Sequence, residues 1–197
     1  MFCLRAIGLS TLMVLAICES VLAQRPGPEF WRRVSCEPFE PRTKLEAFEE
    51  RYATVMIKGF TRITTVEIRS VRVDALELRD LGNSTRATGI VIALGADNER
   101  PRENRAYIDY EEISALMNGI DAVSRVDETM TRFPGFEARY RTLGDLDISV
   151  FRQTARGTAV RISAGVCDQV TVTLTLDELA KLHALISEAK DKLDQAK

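Results

Sequence analysis

The sequence predicts an α+β protein made of two copies of one unit, an antiparallel four-stranded sheet followed by a helix, with a short helix in front of the first copy. Three observations support this prediction. Residues 54–108 and 136–174 contain short runs in which apolar and polar side chains alternate with the period of a strand. An amphipathic helix with a capping signal follows each region, and the two helices begin alike.

The first 23 residues predict a secretory signal peptide. Arg5 precedes an uncharged stretch from Ala6 to Ile17, and Val21-Leu22-Ala23 provides small residues where a signal peptidase cleaves. The stretch has the length of the hydrophobic region of a signal peptide and is too short to span a bilayer as a helix. A retained membrane anchor and a lipoprotein attached at Cys18 are the alternatives. We expect cleavage after Ala23 and a periplasmic or secreted protein that begins at Gln24.

Two cysteines, Cys36 and Cys167, remain after removal of this peptide. Neither belongs to a Cys/His cluster, so the spacing predicts no metal site and no thioredoxin-like site. In an oxidising compartment the two thiols are able to form a disulfide with each other. Free thiols and a cross-linked homodimer are the alternatives.

Residues 24–42 are predicted to form a proline-rich tether, because proline fixes φ and lacks the N–H that helices and sheets require. The tether also contains three large aromatic residues, which we expect to pack on the protein's own body or on a partner. These are Phe30, Trp31 and Phe39.

The first unit spans residues 43–130 and includes the leading helix. Thr43 and Glu46 form a capping-box pattern at the start of this helix. The apolar residues expected on its inner face, before it ends near residue 53, are Leu45, Phe48 and Tyr52.

Strand patterns follow the leading helix as far as residue 108. They lie at residues 55–57, 66–68, 71–79, 89–92 and 106–108. Turns are predicted between them at Lys58-Gly59, at residues 82–84 and in the polar run 95–105. The apolar positions change phase between Ala75 and Leu76, which predicts a bulge or a bend within one strand.

A helix closes each unit. The first is predicted to begin at Asp109 with Glu112 as its capping-box partner, and its inner face to comprise Ile113, Leu116, Met117, Ile120 and Val123. The second unit, residues 131–197, has strand patterns at 136–140, 146–150, 160–162 and 170–174. Its helix is capped by Thr175 and Glu178, and its inner face is predicted to comprise Leu176, Leu179, Leu182, Ile186 and Leu193.

The two helix starts, residues 109–116 and 175–182, share a cap, an acidic first turn and Ile or Leu at equivalent places. The duplicated unit resembles the Whirly-type and PC4-like single-stranded DNA-binding regulators, whose two units pack through their helices. Where the Whirly proteins have a Lys-Gly-Lys-Ala-type motif on a strand, this chain has Lys58-Gly59-Phe60. Residues 105–120 and 137–142 also resemble a group of exported bacterial proteins with no assigned role, which implies export.

The charge balance argues against nucleic acid as the partner. The chain has 27 Lys plus Arg and 29 Asp plus Glu, a net charge of −2, and therefore no global basic field. The outward strand positions mix both signs, whereas a single-strand platform needs a positive groove with stacking aromatic rings.

The sequence contains no pattern that predicts a catalytic residue, a metal or a cofactor. His183 is the only histidine, and its spacing from Leu179 and Ile186 places it beside the packed helix face, where we expect a structural role. A Gly-x-Ser-x-Gly elbow and a glycine-rich phosphate loop are both missing.

The candidate binding residues are Arg100, Arg102 and Arg105 in the loop 95–105. Arginine forks suit carboxylate, phosphate or sugar-acid groups, although a solvated hairpin end is the alternative. We therefore expect an exported, noncatalytic binding or interaction protein whose partner is a protein or a small ligand. Single-stranded nucleic-acid binding is the first alternative and a hydrolase the second.

Overall fold

The computed structural model describes residues 40–95, 103–153, 157–165 and 169–197. The signal peptide, Cys36, Cys167, Arg100 and Arg102 lie outside these residues, so the predictions made for them stay predictions. In chain order the described elements are α1 (Lys44–Glu49), β1 (Met56–Ile68), β2 (Val71–Asp80), β3 (Arg86–Leu94), β4 (Asn104–Asp109), α2 (Tyr110–Ser124), a 3-10 turn (Glu128–Met130), β5 (Glu137–Arg141), β6 (Leu146–Gln153), β7 (Gly157–Ala164), β8 (Val170–Leu174) and α3 (Leu176–Gln195).

The strands form two antiparallel sheets in which neighbours in sequence are also neighbours in space. Sheet 1 has the order β1-β2-β3-β4, and sheet 2 has the order β5-β6-β7-β8. Helix α2 follows sheet 1, and α3 follows sheet 2. The predicted α+β fold, with two four-stranded sheet and helix units after a short helix, is confirmed. None of the described helices has the length and apolar character needed to cross a membrane.

One large core joins the two units. It contains apolar side chains from both sheets and from both long helices, with Leu116 of α2 and Leu182 of α3 completely buried. Helix α3 packs mainly across β1, β2 and β3 of the other unit's sheet. Helix α2 contacts β5 and β6 of sheet 2 as well as β3 and β4. Each helix therefore packs against strands of both units.

Helix α1 covers part of the second face of sheet 1. A smaller apolar cluster forms there from Leu45, Phe48, Leu76, Leu78, Ala87 and Val91. This cluster explains the change of phase in β2, because Val73 and Ala75 face the large core while Leu76 and Leu78 face α1. The predicted bulge in this strand is wrong, since β2 pairs with β3 in one register from Val71 to Arg79.

Strand β1 is one long strand where the sequence predicted two. The predicted turn at Lys58-Gly59 is wrong, because Gly59 lies within β1 and pairs with Glu77 of β2. The irregularity in this sheet lies farther along β1, where the register with β2 shifts between Ile63 and Ile68. Within this part of β1, the Thr65 hydroxyl donates a hydrogen bond of 2.5 Å to the Glu188 carboxylate of α3.

Helix α1 is shorter than predicted, although its capping box is confirmed. The Thr43 side chain accepts from the Glu46 N–H, and the Glu46 carboxylate accepts from the Thr43 N–H. Leu45 and Phe48 are buried as expected. Tyr52 lies beyond the end of the helix and is 91% exposed, so its predicted inward position is wrong.

The capping box predicted for α2 is wrong, because Asp109 makes no side-chain hydrogen bond to that helix. Its carboxylate instead accepts from the Lys44 N–H at 2.8 Å and from the Leu45 N–H at 3.1 Å, at the start of α1. Glu112 is also engaged elsewhere and accepts from the Leu143 N–H at 2.9 Å. By contrast, the capping box of α3 at Thr175 is confirmed.

The predicted inner faces of the two long helices are largely confirmed. In α2 only Met117 is partly buried rather than fully buried. In α3 the exception is Leu176, which is 38% exposed at the first position of the helix.

Candidate functional site

The second face of sheet 1 is only partly covered by α1, and the uncovered part is a groove of about 250 Å³. We call it the arginine groove. Its lining residues are Lys58, Phe60, Arg62, Arg72, Asp74, Leu76, Val91 and Arg105, which come from all four strands of sheet 1.

Strand register brings these side chains together. Phe60 pairs with Leu76, and Arg62 pairs with Asp74, which in turn lies opposite Val91. Because side chains alternate between faces, directly paired residues lie on the same face of the sheet. Arg72 and Arg105 flank Ala93 from its two sides, so a small side chain separates two guanidinium groups.

The floor of the groove is apolar and its rim is charged. Leu76 and Val91 are buried in the floor, where they also belong to the cluster under α1. Phe60 rises from the edge strand and is 62% exposed. An exposed large aromatic ring beside several arginines offers a contact surface for a ligand with both an apolar and an anionic part.

The arginines and carboxylates of the groove form one ion-pair network. Arg72 donates through both terminal nitrogens to Glu103, with N–O distances of 2.8 and 2.9 Å. Its Nε donates to Asp74 at 3.0 Å, and Asp74 also accepts from Arg62 at 3.3 Å. Arg105 donates to Glu103 through its Nε at 2.9 Å. Two carboxylates therefore hold three guanidinium groups in place.

The network keeps its groups charged. The hydrogen bonds from Arg72 hold the pKa of Glu103 below its ordinary value, and Arg105 adds to this effect. The same contact with Glu103 raises the pKa of Arg72. Lys58 pairs with Glu49 of α1. Among the described residues of the groove, four cationic side chains face three carboxylates, an excess of one positive charge.

The structure places one of the three predicted binding residues in this groove. Arg105 lies on its rim, whereas Arg100 and Arg102 lie outside the described residues. The sequence pattern does not single out Arg72, because the mixed charges of its strand are typical of a solvated sheet surface. Arg62 falls between the predicted strands 55–57 and 66–68. The alternation Lys58-x-Phe60-x-Arg62 was the available signal, since it puts two cations and a ring on one strand face.

His183 lies elsewhere, at the contact between α2 and α3. Its side chain is 27% exposed, and its Nε2 is 3.6 Å from the Oδ1 of Asp121. Within the described ranges no group of three or more His, Cys, Asp and Glu side chains is arranged to hold a metal ion.

Comparison with known protein families finds no family model that matches this chain, and comparison with curated proteins finds no match either. The resemblances to Whirly-type regulators and to exported bacterial proteins therefore stay predictions.

Proposed function

We propose that this protein is an exported, noncatalytic binding module whose arginine groove holds a carboxylate-bearing ligand with an apolar body. The observation that carries the proposal is the groove itself, in which three arginines and Phe60 surround an apolar floor. The carboxylate bonds to the guanidinium groups of the rim, and the apolar body packs on Phe60 and Leu76.

The accessible cations are at the two sides of the groove. The side chains of Arg62 and Arg105 are about half exposed, whereas Arg72 is largely buried between its two carboxylates. Arg72 therefore holds the network, and Arg62 and Arg105 are the residues that a ligand reaches first. Bidentate pairing with a planar carboxylate is the geometry that guanidinium groups favour.

The carboxylates of the groove disfavour a ligand whose negative charge is concentrated on one group. Asp74 and Glu103 lie beside the arginines, and their negative charges repel a second negative charge on the same ligand group. A phosphate dianion is disfavoured for this reason. The volume of about 250 Å³ fits a small molecule or one side chain of a larger partner.

Single-stranded nucleic acid is the second candidate, and the position of Phe60 among arginines on an open strand surface is the feature that favours it. Phosphate backbones require several uncompensated cations, and most cations of this groove are paired with carboxylates. The carboxylate ligand is therefore the better fit.

Titration of the isotope-labelled protein with phenylacetate tests the proposal, because this probe joins one carboxylate to one apolar ring. We expect chemical-shift changes at the amides of β1, β2 and β4 that surround the groove. Arg62→Gln and Arg105→Gln should each weaken binding about tenfold, since each removes a charged hydrogen bond. Arg86→Gln is the matched control, because Arg86 lies on β3 of the same sheet outside the groove.

Two results would overturn the proposal. One is an absence of shift changes at the groove, and the other is an equal loss of affinity in Arg86→Gln. A twelve-nucleotide oligothymidine, titrated in parallel at several salt concentrations, tests the alternative. Binding that falls steeply with added salt would replace the carboxylate ligand by single-stranded nucleic acid.

A further inference from the structure

Strand β1 forms an edge of sheet 1, and its first half is uncovered on both faces. Six consecutive residues, Ile57 to Arg62, are exposed, and burial begins only at Ile63. Among the described strands the only neighbour of β1 is β2. We call residues 57–62 the β1 edge.

Within the part of the chain that the structure describes, the β1 edge has none of the usual protections of an edge strand except charge. Natural edges are short, bulged, interrupted by proline or covered. Strand β1 has 13 residues and no proline, and its register with β2 is regular from Met56 to Ile63. The irregular part begins only after Ile63. The β1 edge is therefore straight enough to accept a further strand.

The side chains of the β1 edge define what such a strand must carry. Lys58, Phe60 and Arg62 occupy alternate positions and lie on the groove face, with neighbours about 7 Å apart along the strand. In an antiparallel pair, each of them has one side chain directly opposite. A carboxylate opposite each cation and an apolar side chain opposite Phe60 complement this row.

We infer that the partner of this protein is an extended segment of another protein with the pattern acidic-x-apolar-x-acidic, which pairs its backbone with the β1 edge. The inference rests on the proposed function, because Lys58, Phe60 and Arg62 also line the arginine groove. The ligand is then one peptide strand, and its alternate side chains provide the carboxylates and the apolar group.

The existing ion pairs allow Lys58 and Arg62 to exchange their present carboxylate partners for those of the peptide. Arg72 also donates to Asp74, so Asp74 keeps a partner when Arg62 turns towards the peptide. The Lys58–Glu49 pair lies at the surface, where ion pairs contribute little stability. Neither cation has to leave a buried carboxylate unpaired in order to bind the segment.

A second copy of this chain does not complement the β1 edge. In an antiparallel pair of two β1 edges, a two-fold axis at Phe60 would bring the two Phe60 rings together. The same axis would place Lys58 of each copy opposite Arg62 of the other. Like charges directly opposite each other destabilise a strand pair. The charges therefore select an acidic partner over self-association.

Fluorescence anisotropy with a labelled ten-residue peptide whose core is Glu-Thr-Val-Thr-Glu tests the inference. The purified protein should bind it at least tenfold more tightly than a peptide with the core Lys-Thr-Val-Thr-Lys. N-methylation of alternate backbone amides on the pairing side should abolish binding, because it removes the strand hydrogen bonds. The double variant Lys58→Glu, Arg62→Glu should reverse the preference between the two peptides.

The matched control is the double variant Arg79→Glu, Arg86→Glu, which makes the same charge change on sheet 1 outside the groove and should keep the original preference. Hydrogen exchange is measured on the unmodified protein, so its result does not depend on whether a variant folds. Binding of the acidic peptide should slow exchange at alternate amides of residues 57–62.

The inference is overturned if N-methylation leaves binding unchanged, if the control variant changes the preference as much as the β1 variant, or if exchange in the β1 edge is unaffected. The two proposals fail separately. Phenylacetate binding in the groove without peptide binding overturns this inference alone. Peptide binding that protects the β1 edge, with no effect of Arg105→Gln and no phenylacetate binding, overturns the proposed function and retains the strand pairing.

Discussion

Glu112, in the first turn of α2, has a buried carboxylate oxygen, Oε2, without a hydrogen-bond partner among the described residues. Its other oxygen accepts from the Leu143 N–H in the turn between β5 and β6. Burial raises the pKa of Glu112, the Leu143 N–H opposes this shift, and the carboxylates of Asp109 and Glu46 add to it. The ionised form is therefore disfavoured in the folded protein.

This raised pKa predicts a pH-dependent cost of ionising Glu112. The protonated Glu112 makes its full contribution to the free energy of unfolding below its unfolded pKa of about 4.3. This contribution is lost as pH rises through the higher folded pKa. We expect the free energy of unfolding of Glu112→Gln to increase relative to that of the unmodified protein as pH rises from about 4 to about 7. Urea denaturation across this range measures the difference.

Glu111 provides a control of opposite sign in the same helix turn. A hydrogen bond from Lys44 lowers the pKa of Glu111, so its contribution is present above its unfolded pKa and is lost as pH falls through the folded pKa. Glu111→Gln should therefore lose stability relative to the unmodified protein as pH rises. A pH-independent difference for Glu112→Gln would contradict the prediction.

Helix α1 depends on sheet 1 for its existence. Its 6 residues are too few for a stable isolated helix. The Asp109 carboxylate binds two of its first N–H groups, and Leu45 packs over Gly89, where an added Cβ would lie 2.8 Å from the Leu45 Cδ1. Because α1 covers only part of the face, its position decides where the arginine groove begins.

Removal of this cap should release α1. Asp109→Ala removes both acceptors, and we expect a loss of about 1 to 2 kcal/mol in the free energy of unfolding, at the upper part of the range for capping residues. Hydrogen exchange at Leu45 and Phe48 should accelerate together with this loss. Chemical denaturation and exchange measurements check the two effects.

Asp127→Ala is the matched control, because Asp127 caps only the 3-10 turn at Glu128–Met130, which has no buried residue. The loss in the free energy of unfolding should be clearly smaller for Asp127→Ala than for Asp109→Ala. Equal losses in the two variants, or unchanged exchange in α1, would show that Asp109 does not anchor the helix.

At the level of elements, the sequence predicted what depends on local pattern and missed what depends on tertiary contacts. The strands of sheet 2 were predictable because apolar and polar side chains alternate along each of them. Residues 57–62 are exposed on both faces, so the alternation that marks a strand is missing and Gly59 was interpreted as a turn. Asp109 fits the local pattern of a cap, but the helix that it caps lies 64 residues away in sequence.

The groove was predictable only in part for the same reason. Arg105 was selected because arginines are dense in its own loop. Arg62 and Arg72 join it through the register of the four paired strands β1 to β4, which a local pattern does not encode. The bidentate contact between Arg72 and Glu103 spans 31 residues.

At the level of the whole molecule, the two units share one core, and the helices α2 and α3 should therefore be equally important. Leu116→Ala and Leu182→Ala each remove a fully buried side chain, and each should cost about 2 to 5 kcal/mol in the free energy of unfolding. Denaturant titration should show a single transition in both variants.

Leu176→Ala, in the same helix as Leu182, is the control for this pair. Leu176 is 38% exposed, so its truncation should cost less than about 1 kcal/mol. If Leu116→Ala or Leu182→Ala proved neutral, that helix would be peripheral and the shared core would not hold the two units together.

The packing of α3 across sheet 1 also sets the order in which the chain is able to fold during synthesis. Strands β1 to β3 leave the ribosome long before residues 176–195, which supply the side chains that cover their inner face. Until then, Ile63, Val73 and Ile92 have no complete apolar surface to bury against. Native structure therefore forms only after translation has reached the last helix. A chain interrupted before residue 176 therefore lacks the helix that closes the inner face of sheet 1.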